Sequence, residues 1–415
     1  MDQSQSRTLR YVVGGLTGLA LLILLGWLVL RESPPTPDRS VKIASAPPHI
    51  PPVVPLSPPD KEIPHDSATN KVAESTITNA AVLYQQAFAL YDALTKEEKG
   101  LITSGTNNPL AAADLCGKIQ PMCDLMRQAA AVANCDWGVE QPITFKTPFP
   151  YLQGSRNLAR AAIWSVAHCR TNDPSVAVDD LIATSRLGQK VSSPATVIGL
   201  LVDLVIQHLV ADSIADNASL LASTDDSQLI DLLTNTRYDD ALCRGIEQSA
   251  DTHTTMADEV SAMPPDEALR ELTDGMAESG YASVASQIES MGQAQAVADL
   301  RQAVELEREY PQVLVMPDLE YSAWIASRDE DGSANPFIGF FVTPLEQAVD
   351  KTQYATVISA MAAAGLAVMQ DGPDALASYP DPATGQPFTY TQTDDGFVLE
   401  SGFQLKGKTA QLSFK

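Results

Sequence analysis

Residues 194–215, PATVIGLLVDLVIQHLVADSIA, decide what kind of fold the rest of the chain builds. The run is long and apolar enough to be either a second membrane span or the central helix of a globular core. Three ionisable side chains interrupt it, Asp203, His208 and Asp212. An aspartate at the bilayer midplane costs ~2.5–3.5 kcal/mol even on a lenient insertion scale, so the run reads as a nearly buried core helix. The chain around it is then expected to fold as a helical body in water.

Towards the N-terminus, Tyr11 to Leu30 (YVVGGLTGLALLILLGWLVL) carries no charge over twenty residues. At ~1.5 Å per residue such a helix just spans a ~30 Å hydrocarbon core. Arg7 and Arg10 precede it and Arg31 is offset by Glu32, which predicts a cytoplasmic tail over 1–10, a transmembrane anchor over 11–30 and the remainder outside. A cleaved signal peptide is the competing reading. The small-residue site Ala44-Ser45-Ala46 lies fourteen residues beyond the apolar run and is followed by Pro47, which favours an uncleaved anchor. Residues 34–64 contain eleven prolines, so 31–77 is expected to be an extended, semi-rigid stalk in polyproline II conformation.

The folded part is expected in two pieces, a helical external domain over 78–334 and a C-terminal α+β unit over 335–415. Leu83, Ala87, Leu90 and Leu94 recur at helical spacing, and Thr95 with Glu98 forms a capping box. A helix over 109–133 contains Pro121, expected to kink or split it. Residues 134–150 read as a loop pinned by Trp137. Residues 155–191 read as an αα-hairpin, with Asp173 as N-cap and Pro174 at the first helical position. Further helices are predicted at 225–236, 239–260, 265–278 and 284–309, then a strand-like segment at 313–316. A long helix capped by Thr343 runs to Met369, and strands at 387–392, 396–401 and 409–414 follow, the first two joined by Asp394-Asp395-Gly396. The fold class is therefore mainly α: an anchor helix, an irregular helical bundle or short α-solenoid, and a long helix with a three-stranded meander.

Acidic residues outnumber basic ones 52 to 27, for a net charge of −25, which disfavours nucleic acid as a ligand. All five cysteines, at 116, 123, 135, 169 and 243, fall outside the membrane, where disulfides form. Cys123 with Cys135 is the expected pair. No spacing suggests a metal or cofactor site, and no nucleophile, P-loop or dinucleotide signature is present. Asp329 to Gly332 lacks the alternating ligands of a calcium loop. No residue is assigned a catalytic role. The least implausible site for an enzyme is Asp203, His208 and Asp212, of which His208 and Asp212 stand four apart on one helix face.

Three stretches carry a resemblance: Cys135 to Gly138 (CDWG), Phe145 to Leu152 (FKTPFPYL) and Asp381 to Tyr390 (DPATGQPFTY). In their order along the chain they resemble a group of uncharacterised single-pass bacterial envelope proteins, over about residues 79–415. From Leu345 onward the chain is also similar to the periplasmic body of type II secretion major pseudopilins. It departs from them in lacking their N-terminal processing site and their calcium-binding closing segment. These likenesses imply a bacterial inner-membrane location, with the bulk of the chain periplasmic. The expected function is a noncatalytic envelope scaffold or adaptor, contacting the bilayer through 11–30 and unidentified envelope proteins outside it. The alternatives are an envelope hydrolase acting on cell-wall or polysaccharide material and an accessory of type II secretion or a pilus-like assembly.

Overall fold

The computed structural model describes residues 77–104, 109–144, 147–274, 281–313 and 335–415. The expected tail 1–10, anchor 11–30 and stalk 31–77, apart from Ile77, lie outside the described residues, as do 314–316 of the expected strand and the acidic segment 329–332. Helix α1 (Ala80–Asp92) starts where the Asn79 side chain accepts from Ala81 N, and its buried face centres on Tyr84, Ala87 and Tyr91. Leu90, expected in that stripe, sits at its edge and remains exposed. In α2 (Lys96–Ser104) the capping box forms in both directions, Glu98 N to Thr95 Oγ1 at 3.2 Å and Thr95 N to Glu98 Oε2 at 2.8 Å. Helix α3 (Pro109–Ala131) runs through Pro121 without ending there.

Helices α4 (Tyr151–Cys169) and α5 (Pro174–Val191) make the expected hairpin, and the Asp173 side chain accepts from Val176 N. Helix α6 (Val197–Asp216) is the decisive stretch, capped by Thr196 through Gly199 N. Its apolar residues face three separate cores. Ile198, Val202 and Ile206 join the cluster built by α1, α3, α4 and α5. Leu200 and Leu204 join a second with Leu242, Tyr310 and Leu345, while Val210, Ala211 and Ile214 join a third with Met361, Leu399 and Phe414. A helix covered from three directions keeps only a narrow polar edge, at His208 and Asp212, for water, which explains its resemblance to a membrane span. By length and composition alone, Val197–Asp216 and Ile338–Asp371 would each reach across a membrane, yet 67% and 72% of their most apolar windows are buried inside the protein.

Beyond α6 come α7 (Ala218–Leu221), α8 (Ser227–Asn235), α9 (Tyr238–Ala262), α10 (Pro265–Thr273), α11 (Ala282–Met291) and α12 (Gln293–Val313). The single helix predicted over 284–309 is thus two, separated by Gly292 at φ +80°, a conformation costly for any other residue. Val313, placed in the expected strand, ends α12 instead. The long helix α13 (Thr343–Asp371) does not begin at a Thr343 cap: a five-residue π-helical turn, Ile338–Val342, feeds directly into it.

The chain closes as a meander of β1 (Thr389–Thr393), β2 (Gly396–Leu405) and β3 (Lys408–Phe414), antiparallel in that order. Tyr390 pairs with Leu399 and Leu399 with Leu412, so Leu399, Ala410, Leu412 and Phe414 point to one buried face. That face lies on the small-residue stretch of α13. A Cβ at Gly365 would stand 2.0 Å from Phe414 Cζ, so only glycine lets the ring settle there. Burying a phenylalanine in this way stabilises by ~1.5–3 kcal/mol. Because α5, α6, α8, α13 and the sheet contribute to one cluster, the C-terminal unit shares its core with the helical body.

Candidate functional site

The two N-terminal motif stretches act as structural staples. Trp137 of CDWG stacks on Tyr151 at 4.5 Å and on Tyr84 at 5.7 Å between ring centroids, and its indole N–H donates to Lys190 O at 2.8 Å. Asn79 bonds both the N–H and the carbonyl of Asp136, so the loop is fixed to the start of α1. Phe149 and Tyr151 of the second stretch meet edge to face at 6.3 Å. In the C-terminal motif, buried Asp381 accepts from Ser401 Oγ at 2.8 Å and Gly402 N at 2.9 Å, at the register shift in β2, and also from Thr384 Oγ1 and Ala383 N. One carboxylate thereby ties the DPATG turn to the bulged strand.

The expected Cys123–Cys135 disulfide does not form. Cys116 bonds Cys169 instead, at a Cα–Cα distance of 5.7 Å, joining α3 to the last residue of α4. Cys116 and Cys123 share a face of α3 two turns apart, and only the outer of the two reaches the end of α4. Cys123 is left inside the core and Cys135 in the Trp137 loop. Burial pushes the Cys123 thiol up to about 12 and the Cys135 thiol up to about 11, so neither supplies a thiolate at neutral pH.

The three polar residues of α6 do not converge. His208 Nε2 lies 3.4 Å from Asp212 Oδ2, both half-exposed. Asp203, five residues before His208 and therefore ~140° round the helix, is buried against α5. Its Oδ1 accepts from Gln207 Nε2 at 2.8 Å and its Oδ2 from Ser192 Oγ at 3.0 Å, and burial pushes its carboxyl up to about 6. Gly188 makes room for it, since a Cβ there would lie 2.3 Å from Asp203 Oδ1.

Two further arrangements carry no sequence spacing that would reveal them. Buried Glu307 of α12 accepts from Ser249 Oγ at 3.3 Å and lies 2.8 Å from His253 Nδ1, while the His253 ring packs on Phe341 of the π-helical turn at 3.8 Å between centroids. The carboxylate orients the imidazole, but the serine bonds to the carboxylate rather than to the ring, so the serine–histidine–carboxylate relay of nucleophilic catalysis is not assembled. The second arrangement is an open cavity of about 600 Å³ between the α7–α8 loop, the end of α13 and Tyr379. Asp225, Asp226 and Asp231 line it together with Thr224, Gln370 and Met369. Asp226 is 1% exposed, and its Oδ1 accepts from Gln370 Nε2 at 2.6 Å. Its Oδ2 and the Thr224 Oγ1 are buried without a partner among the described residues. Among the described residues no three His, Cys, Asp or Glu side chains gather closely enough to hold a metal ion.

The structure thus defines a mainly helical protein with a small three-stranded C-terminal sheet and an acidic groove between the α7–α8 loop and the end of α13. No protein family, curated protein or solved structure matches the chain.

Proposed function

We propose that the protein is a membrane-tethered, noncatalytic scaffold of a bacterial envelope that binds partner proteins outside the cytoplasm. The observation that carries this reading is how the buried ionisable groups are used. Asp203, Asp180, Glu307 and Asp381 each accept from protein donors that fix one helix, loop or strand to another, whereas the open cavity is lined by carboxylates at its edge. The Cys116–Cys169 disulfide supports placement of the domain in an oxidising compartment, in keeping with an anchor at 11–30 and its basic N-terminal flank. The hydrolase alternative on Asp203, His208 and Asp212 draws no support from the geometry, because Asp203 is buried on a different face of α6.

In-cell crosslinking of the tagged full-length chain, followed by purification from membranes and mass spectrometry, tests the reading. Recovery of a defined envelope complex is the expected result, and pseudopilus components in that complex would favour the secretion accessory. Recovery of the protein alone at high crosslinking yield would sink the scaffold.

A further inference from the structure

The C-terminal sheet has two edge strands, and one of them is moored. At the end of β3, Lys415 O accepts from Ser219 N at 3.0 Å and Lys415 N donates to Ala215 O at 3.1 Å, which ties that strand to the junction of α6 and α7. The β1 edge faces water. Thr389, Thr391, Gln392 and Thr393 are exposed, and Tyr390 is half-buried. The two-residue Asp394-Asp395 loop makes Thr393 and Gly396 the hydrogen-bonded pair that closes the hairpin. Alternation from that pair turns the main-chain groups of Thr389, Thr391 and Thr393 towards β2 and those of Tyr390 and Gln392 outward. The outward N–H and C=O of Tyr390 and Gln392 form a short open row, with no main-chain partner among the described residues.

Edge strands are commonly guarded by a charge, a proline or a bulge. Thr389–Thr393 carries none of these: TYTQT is uncharged, and the register shift of the sheet falls between β2 and β3. An added strand must match it over five residues, because the Pro380–Pro387 bridge stops it upstream and the Asp394-Asp395 turn stops it downstream. It must also be extended and free of carboxylates, which that turn would repel. We propose that the strand meeting these terms is β1 of a second copy, paired antiparallel about a two-fold axis at Thr391. Tyr390 then bonds Gln392 of the second copy and Gln392 bonds its Tyr390, which satisfies all four open groups. On the solvent face Thr391 meets its own counterpart and Thr389 meets Thr393, pairings that sheets favour. No like charges stand opposite one another. Asp394 lies opposite position 388, so the two copies of Asp394 are six residues apart along the strand, ~20 Å, well beyond the ~8 Å screening length. Such a short edge buries less than the ~1,000 Å² of a stable interface, so the contact is weak in dilute solution. Two copies tethered in one bilayer, as proposed above, meet at a far higher effective concentration. The pairing therefore rests on the tether and on no partner protein.

The test is disulfide trapping in the full-length protein, reconstituted in phosphatidylcholine vesicles on a Cys135→Ser, Cys243→Ser background that removes the two half-buried free thiols. Thr391→Cys sets two sulfurs across the axis at a Cα separation of ~4.5 Å, within disulfide reach, whereas Thr389→Cys leaves them ~14 Å apart. Under mild oxidation Thr391→Cys should form covalent dimer at least about ten-fold faster than Thr389→Cys, and mixing Thr389→Cys with Thr393→Cys should restore the rate. All three positions are exposed on one face of the strand, so a folding defect would not separate them. Equal rates at positions 389 and 391, or no dimer at 391, overturn the pairing. So does a Thr391→Cys adduct to another envelope protein in native membranes in place of the dimer, which assigns the edge to that protein. A chain that does not float with the vesicles removes the tether. The same rates are then compared in solution at ~1 mM, where dimer at 391 and none at 389 still upholds the pairing, and equal rates overturn it.

Discussion

Helix α5 borders a buried aspartate near each end, and the two are held by opposite means. Near its N-terminus its own Asp180, 1% exposed, is gripped by Arg127 and by Arg170 Nε at 2.9 Å, with Gln120 and Asp124 extending the network along α3. Towards its C-terminus it receives Asp203 of α6, 2% exposed, whose partners are an amide and a hydroxyl without a single positive charge. Burial raises both carboxyls above the usual range, but at Asp180 the two guanidiniums pull against it, while at Asp203 only neutral hydrogen bonds do. Equal depth therefore does not mean equal charge. Asp180 is the centre of an ionic knot, whereas Asp203 keeps its proton below about pH 6 and there acts as a neutral acid in an amide network.

The knot is reinforced covalently. The Cys116–Cys169 disulfide joins α3 to the residue immediately before Arg170, whereas the Asp203 region has no such link. With a sequence separation of 53, the loop-entropy estimate for removing it is about 4 kcal/mol. A double Cys116→Ser, Cys169→Ser variant should show that loss as a lower urea midpoint, with a slope that rises as the unfolded chain is freed of its cross-link. A loss under about 1 kcal/mol would mean that the ion pairs alone hold the junction.

Asparagine tests the knot itself. Asp180→Asn preserves volume but leaves Arg127 and Arg170 without their shared counter-charge, and breaking a buried pair from one side costs ~3–5 kcal/mol. The expected loss is about 3 kcal/mol, at the lower end because Arg127 keeps 24% of its side-chain surface in water. Urea unfolding of the variant measures it, and a neutral result would remove the ionic account of this region.

The parts of this architecture that were legible in the sequence are those written locally. The Asp173-Pro174 start of α5, the capping box of α2 and the alternation of Ala410, Leu412 and Phe414 each announce an element through short-range chemistry. Helix α6 was readable as core because three ionisable groups in an apolar run are poorly suited to lipid. What was not legible depends on which elements meet. Cys123 and Cys116 look alike on α3 until the end of α4 arrives beside one of them. Asp203 and His208 look like neighbours in sequence, yet the helix turns them apart. The groove needs Asp226 and Gln370, 144 residues from each other, and its sequence signal, Asp225-Asp226-Ser227, reads only as a helix start. His253 and Glu307, 54 residues apart, are equally silent.

The smallest expected effect discriminates best, because it reverses the sign of the same substitution. Ser192 Oγ lies 3.0 Å from both Gln189 O and Asp203 Oδ2, and its single proton cannot serve two acceptors at once. If Asp203 carries its own proton, the carboxyl donates to Ser192 and Ser192 donates to Gln189, so every atom is satisfied. Asparagine reproduces that arrangement, with its amide nitrogen donating to Ser192 and its oxygen accepting from Gln207. The folded state holds the Asp203 proton up to about pH 6, whereas the unfolded chain releases it near the ordinary carboxylate value of 3.8. Between those limits the folded state binds more protons, so this group's contribution to stability is complete below about pH 4 and is lost as pH rises through about 6. Asp203→Asn has no such proton to lose. It should match wild type near pH 4 and exceed it by about 2 kcal/mol at pH 8, the direction opposite to Asp180→Asn. Urea unfolding of the two proteins across that range isolates the term, since the other titrating groups cancel in the difference. A difference independent of pH, or an asparagine variant weaker than wild type at pH 8, would show that Asp203 is held as a carboxylate after all, and the contrast between the two ends of α5 would collapse.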